Sequence, residues 1–242
     1  MSALSLAYAA LFYAATAIFV IGVGLKIRSY ASTPAPLLIP TTPAPTTTSG
    51  VALRMAREVV FFESLFKSSK WTWIFGWMFH AALLLVLLRH LRYFQEPVWT
   101  PVLWVQFFGT YAGFAMVAGL AGLWARRFLV DRVRYISTPS DHLHLALLLA
   151  IGASGLTMRF VAHTDIVALK AFMLGLMRFD WQPLPGGPRL LLRLTRVALL
   201  MFVFPISKLL HAPGLFFSPT RYQVDNPREV RHVASWAAAL DK

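Results

Sequence analysis

The sequence contains no cysteine, and charged residues make up only 14% of its 242 positions. Without cysteine, the chain can form no disulfide, hold no cysteine-ligated iron–sulfur cluster and attach no haem through a CxxCH motif. A soluble domain carries roughly 25% charged residues, whereas here 57% of the residues are hydrophobic and lie in long runs. This composition excludes a soluble globular domain and a disordered tail.

The net charge of +13 has two possible origins, a nucleic-acid-binding surface or membrane anchoring. The Lys and Arg residues flank the apolar runs, which is the arrangement that membrane anchoring requires. We therefore expect membrane lipid around the chain and no nucleic acid as a partner.

Five apolar segments are long enough to cross a bilayer, which needs about 20 residues of helix. They lie at about 4–25, 71–91, 102–125, 143–161 and 190–211. The first lacks the basic n-region of a signal peptide, so we interpret it as a retained helix. In the third, Gly109 and Gly113 form a small-xxx-small pair, which is typical of close helix packing. The sequence therefore predicts an all-α membrane protein, a five-transmembrane-helix bundle over residues 1–211 with a cytoplasmic C-terminal tail over 212–242.

The basic residues between the apolar segments predict the orientation. Fourteen Lys and Arg residues lie in 26–70, 126–140 and 212–242, and four lie in the connections on the other side. Because cytoplasmic loops carry the excess of Lys and Arg, we expect a multi-pass protein of the inner (cytoplasmic) membrane, with its N-terminus in the periplasm and its C-terminus in the cytoplasm. The Pro/Thr-rich stretch 32–50 is expected to be an extended cytoplasmic linker.

Two histidines within the second segment need an explanation, because ionisable groups inside a membrane are costly and usually functional. His80 lies in mid-span and His90 follows ten residues later. On a helix this places them about 15 Å apart along the axis and within about 80° of each other around it, so both can face the bundle interior. Two haems stacked across a bilayer need this arrangement, each iron taking an imidazole from two facing helices. His211, at the inner end of the fifth segment, is the candidate partner of His80.

A simpler interpretation is that these histidines are buried and donate hydrogen bonds to backbone carbonyls. The pair at this spacing, together with a third histidine on another helix, favours haem. All ten carboxylates lie outside the segments or at their edges, whereas a proton-coupled transporter usually keeps an acid near the midplane. A haem-free membrane anchor and a small transporter are the alternatives from other classes.

Several stretches of the sequence resemble one known family. The second segment, FGWMFHAALLLVLLRHLRYF, and the fifth, MFVFPISKLLHAPG, resemble the gamma subunit of respiratory nitrate reductase, a five-helix dihaem cytochrome b. The tail HAPGLFFSPTRYQVDNPREVRH and the stretch MRFVAHTDIVALKAFMLGLM are more similar to the DsrM branch of that family, the cytochrome b subunit of the DsrMKJOP sulfur-metabolism complex. The resemblance covers nearly the whole chain and implies haem b and quinone as cofactors.

The resemblance implies a complete ligand pair for one haem and leaves the second pair incomplete. His80 and His211 match the inner pair, and His90 matches one outer ligand. The family has the partner of His90 eighteen residues before the last histidine, where this sequence has Arg193. His163 is the remaining histidine on the outer side and replaces that ligand if its loop folds back. A single haem, or a five-coordinate outer haem, are the other possibilities.

Further expectations concern the surroundings of the outer haem. Arg89 and Arg193 lie near the outer ends of their segments and are candidates to neutralise haem propionates. His90 and Lys170 are the candidates for a quinone region, because a quinone oxygen needs a hydrogen-bond donor near the haem. No residue of the chain is expected to be catalytic by itself.

The function implied by the resemblance is electron transfer between the quinone pool and a cytoplasmic iron–sulfur partner in dissimilatory sulfur metabolism. The absence of cysteine agrees with this, because the clusters would lie on that partner, which is expected to be DsrK-like. The other expected partners are DsrJ-, DsrO- and DsrP-like subunits of the same membrane complex. A gamma-type cytochrome b of another respiratory oxidoreductase is the alternative.

Overall fold

A computed structural model of the protein describes residues 2–35, 37, 40, 42–225, 234–238 and 240. These residues are mainly helical and contain no β-strand. The helices are α1 Ala3–Ser32, α2 Thr48–Phe61, α3 Glu63–Ser68, α4 Lys70–His90, α5 Thr100–Leu129, α6 Asp131–Ile136, α7 Pro139–Phe160, α8 Ile166–Arg178, α9 Pro188–Val203, α10 His211–Gly214, α11 Pro219–Tyr222 and α12 Ser235–Ala238. Short 3₁₀ turns lie at Leu91–Tyr93, Phe204–Ile206, Lys208–Leu210 and Leu215–Phe217. The predicted all-α class is confirmed for the described part of the chain.

Within the part of the chain that the structure describes, four helices are long and apolar enough to cross a membrane: α1, α4, α5 and α7. They correspond to the predicted segments 4–25, 71–91, 102–125 and 143–161, and each helix reaches past its segment at one end or both. Several spans in one chain make this a multi-pass membrane protein. The side of the membrane on which each end lies stays a prediction.

The fifth predicted span, 190–211, is not one continuous helix. Pro188–Ile206 and Lys208–Phe217 qualify as a span only together, as a pair with a bend between them. The α-helical geometry ends at Val203 because Pro205 has no N–H to donate and restricts the residue before it. Ser207 then adopts an extended backbone, and its Oγ accepts a hydrogen bond from the Leu209 N–H at 3.2 Å, which starts a new turn. The expectation of an unbroken fifth helix is therefore corrected, and the described residues contain four or five candidate spans.

The described residues fall into two compact units, one of residues 1–18 and 69–203 and one of residues 19–68 and 204–242. In the first unit, α4 and α5 approach closely because glycines of α5 face α4. A Cβ at Gly109 would lie 2.9 Å from the carbonyl oxygen of Leu85. One at Gly113 would lie 2.8 Å from the Leu156 side chain of α7. The close packing predicted for this glycine pair is confirmed.

A second apolar cluster of the first unit joins α8 to α1 and α9. Phe172 of α8 is fully buried in it. Asp165 caps α8, because its Oδ1 accepts hydrogen bonds from the N–H groups of Val167 and Ala168, each at 3.0 Å. Sequence patterning did not predict α8, whose 13 residues are too few to span a bilayer.

In the second unit, helices α2 and α3 occupy much of the segment before the second span. Thr47 caps α2 with its Oγ1, which accepts a hydrogen bond from the Gly50 N–H at 3.1 Å, so helix begins inside the stretch predicted as linker 32–50. The C-terminal tail contacts the same unit, since Gln223 donates to the Leu37 carbonyl at 2.7 Å. Linker positions 36, 38, 39 and 41 and tail positions 226–233 lie outside the described residues. The domain division at residue 211 stays a prediction.

Candidate functional site

His80 lies in α4, eleven residues into a helix of 21, with its ring half-buried. Its Nδ1 donates a hydrogen bond to the Gly76 carbonyl oxygen, 2.7 Å away and one helical turn earlier. Because the hydrogen is then on Nδ1, the lone pair lies on Nε2, which is the tautomer needed for metal ligation through Nε2. The ring also meets the Phe79 ring edge-on, with centroids 4.8 Å apart, which restricts its rotation.

His90, the last residue of α4, repeats this arrangement. Its Nδ1 donates to the Val86 carbonyl oxygen at 2.6 Å, and its ring lies 5.8 Å from the Tyr93 ring. The carbonyl hydrogen bonds expected of structural histidines are therefore present at both positions. These carbonyl hydrogen bonds engage only Nδ1 of each ring, so they do not by themselves prevent Nε2 from acting as a ligand.

Arg193 of α9 faces His90. Its Nη2 lies 3.4 Å from Nε2 of His90, which makes it a long hydrogen-bond donor to the atom that would bind iron. Position 193 is where the resembling family has the second outer histidine. The structure thus brings together the two positions of that pair, with a guanidinium in place of the second imidazole. A guanidinium has no lone pair to offer a metal, so this contact is not an axial ligand pair.

Arg89, next to His90 in the chain, lies between α4 and α5. A Cβ at Gly109 would lie 2.8 Å from the Cβ of Arg89, so the stem of this side chain fills the space that the glycine leaves. Its Nε is buried and has no hydrogen-bond partner among the described residues. No ion pair joins Arg89 or Arg193 to a carboxylate in the described part of the chain. The propionate role expected of these two arginines stays a prediction.

The two remaining outer candidates, Lys170 and His163, have different surroundings. Lys170 of α8 forms an ion pair with Glu96, with 2.5 Å between Nζ and Oε2. His163 is exposed in the connection between α7 and α8. Within the described ranges, neither side chain hydrogen-bonds to His90. Their proposed roles at a haem or quinone stay predictions.

His211, the inner candidate ligand, belongs to the second unit. Its Nδ1 lies 3.0 Å from the Lys208 carbonyl oxygen, which again leaves Nε2 as the ligand atom of this tautomer. The ring lines a cavity of about 440 Å³ together with Tyr30, Ser207, Lys208 and Phe217. Sequence reasoning missed Tyr30 as a neighbour of His211, because Tyr30 lies beyond the predicted first segment, in the last turns of α1, and no pattern links it to the fifth segment.

When each compact unit is considered separately, its candidate ligand histidines fit haem b. The Nδ1 atoms of His80 and His211 are both held by backbone carbonyls, in apolar segments that contain no competing carboxylate. The His90 position fits less well, since Arg193 already occupies the neighbourhood of its Nε2.

Comparison with known proteins places the chain among membrane cytochrome subunits. Residues 62–233 match the nitrate reductase gamma subunit family. The chain is 38% identical over 272 aligned positions to the Hdr-like menaquinol oxidoreductase cytochrome b-like subunit of Archaeoglobus fulgidus, a match that covers 94% of this chain and 82% of that protein. It is 32% identical over 277 positions to the subunit of the same description from Archaeoglobus profundus, covering 94% and 81%.

Proposed function

The chain belongs to the nitrate reductase gamma subunit family, and we propose that it is the haem b subunit through which a membrane complex takes electrons from a quinol. The observation that carries this proposal is the His80 ring in α4, which the Gly76 carbonyl holds in the tautomer that ligates through Nε2. Such a group inside an apolar span needs a function, and iron ligation supplies one.

We assign His80 and His211 to the inner haem on the family signature that ends at His211. Haem b, when bound, supplies a one-electron carrier within the membrane. The backbone carbonyls of Gly76 and Lys208 hold the two imidazole rings and keep their hydrogens on Nδ1. These contacts fix ring orientation before any cofactor binds, as carbonyl partners of metal-binding histidines do.

The electron donor that best fits the chain is menaquinol, since both Archaeoglobus relatives are described as menaquinol oxidoreductase subunits. We propose the outer end of α4, at His90, as the quinone region. Lys170 is a weaker candidate for this quinone region, because its ammonium group already forms an ion pair with Glu96.

We further propose that the electrons leave through a cytoplasmic iron–sulfur subunit of the DsrK type, in dissimilatory sulfur metabolism, with DsrJ-, DsrO- and DsrP-like subunits in the same complex. The similarity of the tail 211–232 to the DsrM branch supports this. So does the absence of cysteine, which requires that any cysteine-ligated clusters belong to another chain. The predicted orientation, with the N-terminus in the periplasm and the C-terminus in the cytoplasm, would put the tail on the side of that partner.

The test is haem b per folded polypeptide, measured as the pyridine haemochrome on purified protein in detergent. We compare the wild type with His80→Ala, His211→Ala and a control, His144→Ala. The control histidine is half-buried near the start of α7, and its Nδ1 also contacts a carbonyl four residues earlier, that of Ser140. We expect the first two variants to lose the inner haem and the control to keep it.

An unchanged haem spectrum in His211→Ala would contradict the ligand pair. A folded wild-type chain without any haem would contradict the cytochrome function and leave a membrane anchor.

A further inference from the structure

The outer end of α4 and α9 contains a pair of polar groups that satisfy each other. Both ring nitrogens of His90 are engaged, Nδ1 with the Val86 carbonyl at 2.6 Å and Nε2 with the guanidinium of Arg193 at 3.4 Å. Since a guanidinium can only donate, Nε2 accepts, and the imidazole in this contact is neutral. The position at which iron would approach Nε2 is therefore occupied by a cation of the chain itself.

A third helix makes room for that cation. Gly155 of α7 lies against the guanidinium, and a Cβ at this position would lie 3.0 Å from both Cζ and Nη2 of Arg193. Three helices thus position the contact, α4 through His90, α7 through Gly155 and α9 through Arg193. An arginine that only extended toward water would not need this space.

The cluster also has unused hydrogen-bonding capacity for an oxygen ligand. Arg89 adds a second cation, with a buried Nε that has no partner in the described ranges. Neither guanidinium is neutralised by a carboxylate within that part of the chain. Cationic donors inside a span are costly unless a partner satisfies them, and an uncharged or anionic oxygen is the partner they favour.

We propose that Arg193 replaces the outer haem ligand in this chain, and that Arg89, His90 and Arg193 bind the oxygen of a quinol headgroup instead of a second haem. Nε2 of His90 holds the guanidinium of Arg193 through Nη2, and the other N–H groups of this guanidinium donate to the quinol oxygen. The chain then binds one haem b per polypeptide. This inference rests on the proposed function, because it names the substrate contact of the same electron-transfer subunit.

The experiment measures two quantities on each purified variant, haem b per polypeptide and the affinity for 2-heptyl-4-hydroxyquinoline N-oxide, a quinol analogue whose fluorescence is quenched on binding. The variants are Arg193→Met, Arg193→His and the matched control Arg196→Met, one turn further along α9. We expect one haem and a bound analogue in the wild type and in the control.

Arg193→Met should keep one haem and lose affinity for the analogue by at least about tenfold, the effect of one charge-assisted hydrogen bond. Arg193→His, which restores the family pattern, should raise the number of haems per polypeptide to two and lower the affinity for the analogue. Arg193→Lys keeps the charge without the planar fork, so it should retain part of the affinity for the analogue. This variant replaces Arg193→Met in the test if Arg193→Met does not fold.

Two haems in the wild type, or an analogue affinity that Arg193→Met leaves unchanged, would overturn the inference. A folded Arg193→His variant with one haem would also contradict the inference, because Arg193 would then not be the residue that prevents iron from binding at His90. A folded wild-type chain with no haem would instead contradict the proposed function, while the analogue titration still reports on Arg193.

Discussion

Arg221 of the C-terminal tail donates a hydrogen bond to the Glu58 carboxylate of α2 at 2.7 Å, although the two residues lie 163 positions apart. The Glu58 side chain is only 10% exposed, and Ser64 hydrogen-bonds to both partners. The backbone adds a second link, since the Asp225 N–H donates to the Pro45 carbonyl at 3.0 Å. The tail, α2 and the end of the linker therefore form one folded part of the second unit.

Removing this ion pair should release the tail. Arg221→Met leaves the buried Glu58 carboxylate without its cation, which should cost about 1–3 kcal/mol of local stability. Hydrogen–deuterium exchange followed by mass spectrometry should show faster exchange in α11 and α2, with α4 and α5 unchanged. Glu58→Gln added to Arg221→Met should recover part of the protection.

The matched control for that variant is Arg134→Met. Arg134 pairs with Asp131 at 2.8 Å, but both side chains are exposed, so the loss should stay within about 0.5 kcal/mol. Equal exchange rates in α11 of the wild type and Arg221→Met would show that the pair does not hold the tail.

The contact between α4 and α5 predicts a strong dependence on Gly109. In Gly109→Ala the new methyl group would meet the Leu85 carbonyl and the Arg89 side chain, so overpacking should destabilise the chain by about 1–3 kcal/mol. Thermal unfolding in detergent, followed by tryptophan fluorescence, measures this.

Gly24→Ala serves as the control, because a Cβ there meets no described atom within 4 Å and alanine favours helix. A midpoint for Gly109→Ala equal to that of Gly24→Ala would contradict the close packing.

The absence of cysteine allows the topology to be tested with single introduced thiols. Ser2→Cys and Thr220→Cys place one label near each end of the chain. With five spans, an impermeant maleimide on intact cells should label Ser2→Cys and not Thr220→Cys, and inverted vesicles should give the reverse. Labelling of both from the same side would mean four spans, with the bent pair after α9 not crossing the bilayer.

The sequence was sufficient to locate the four continuous spans, because runs of about 20 apolar residues have a direct physical meaning in a bilayer. It could not give the end of α9, where Pro205 stops the helix inside an apolar run that otherwise continues. It also could not pair Glu58 with Arg221, since hydrogen bonds between distant segments leave no periodic pattern.

The candidate site shows the same limits. The H-x9-H spacing located His80 and His90 on one helix, and the family pattern indicated position 193 as the place opposite His90. The pattern could not show that the arginine there contacts Nε2, with Gly155 providing the space. That contact depends on three helices that meet only in the folded chain.

The most direct test of the central claim is whether a naphthoquinol reduces the haem of the purified chain. Menadiol is added anaerobically to oxidised protein in detergent, and the reduced-minus-oxidised absorbance spectrum of haem b is followed. We predict reduction of the wild type and no haem signal from the inner site in His80→Ala. A folded chain whose haem b stays oxidised with excess menadiol, yet is reduced by dithionite, would contradict a quinol-linked electron-transfer function.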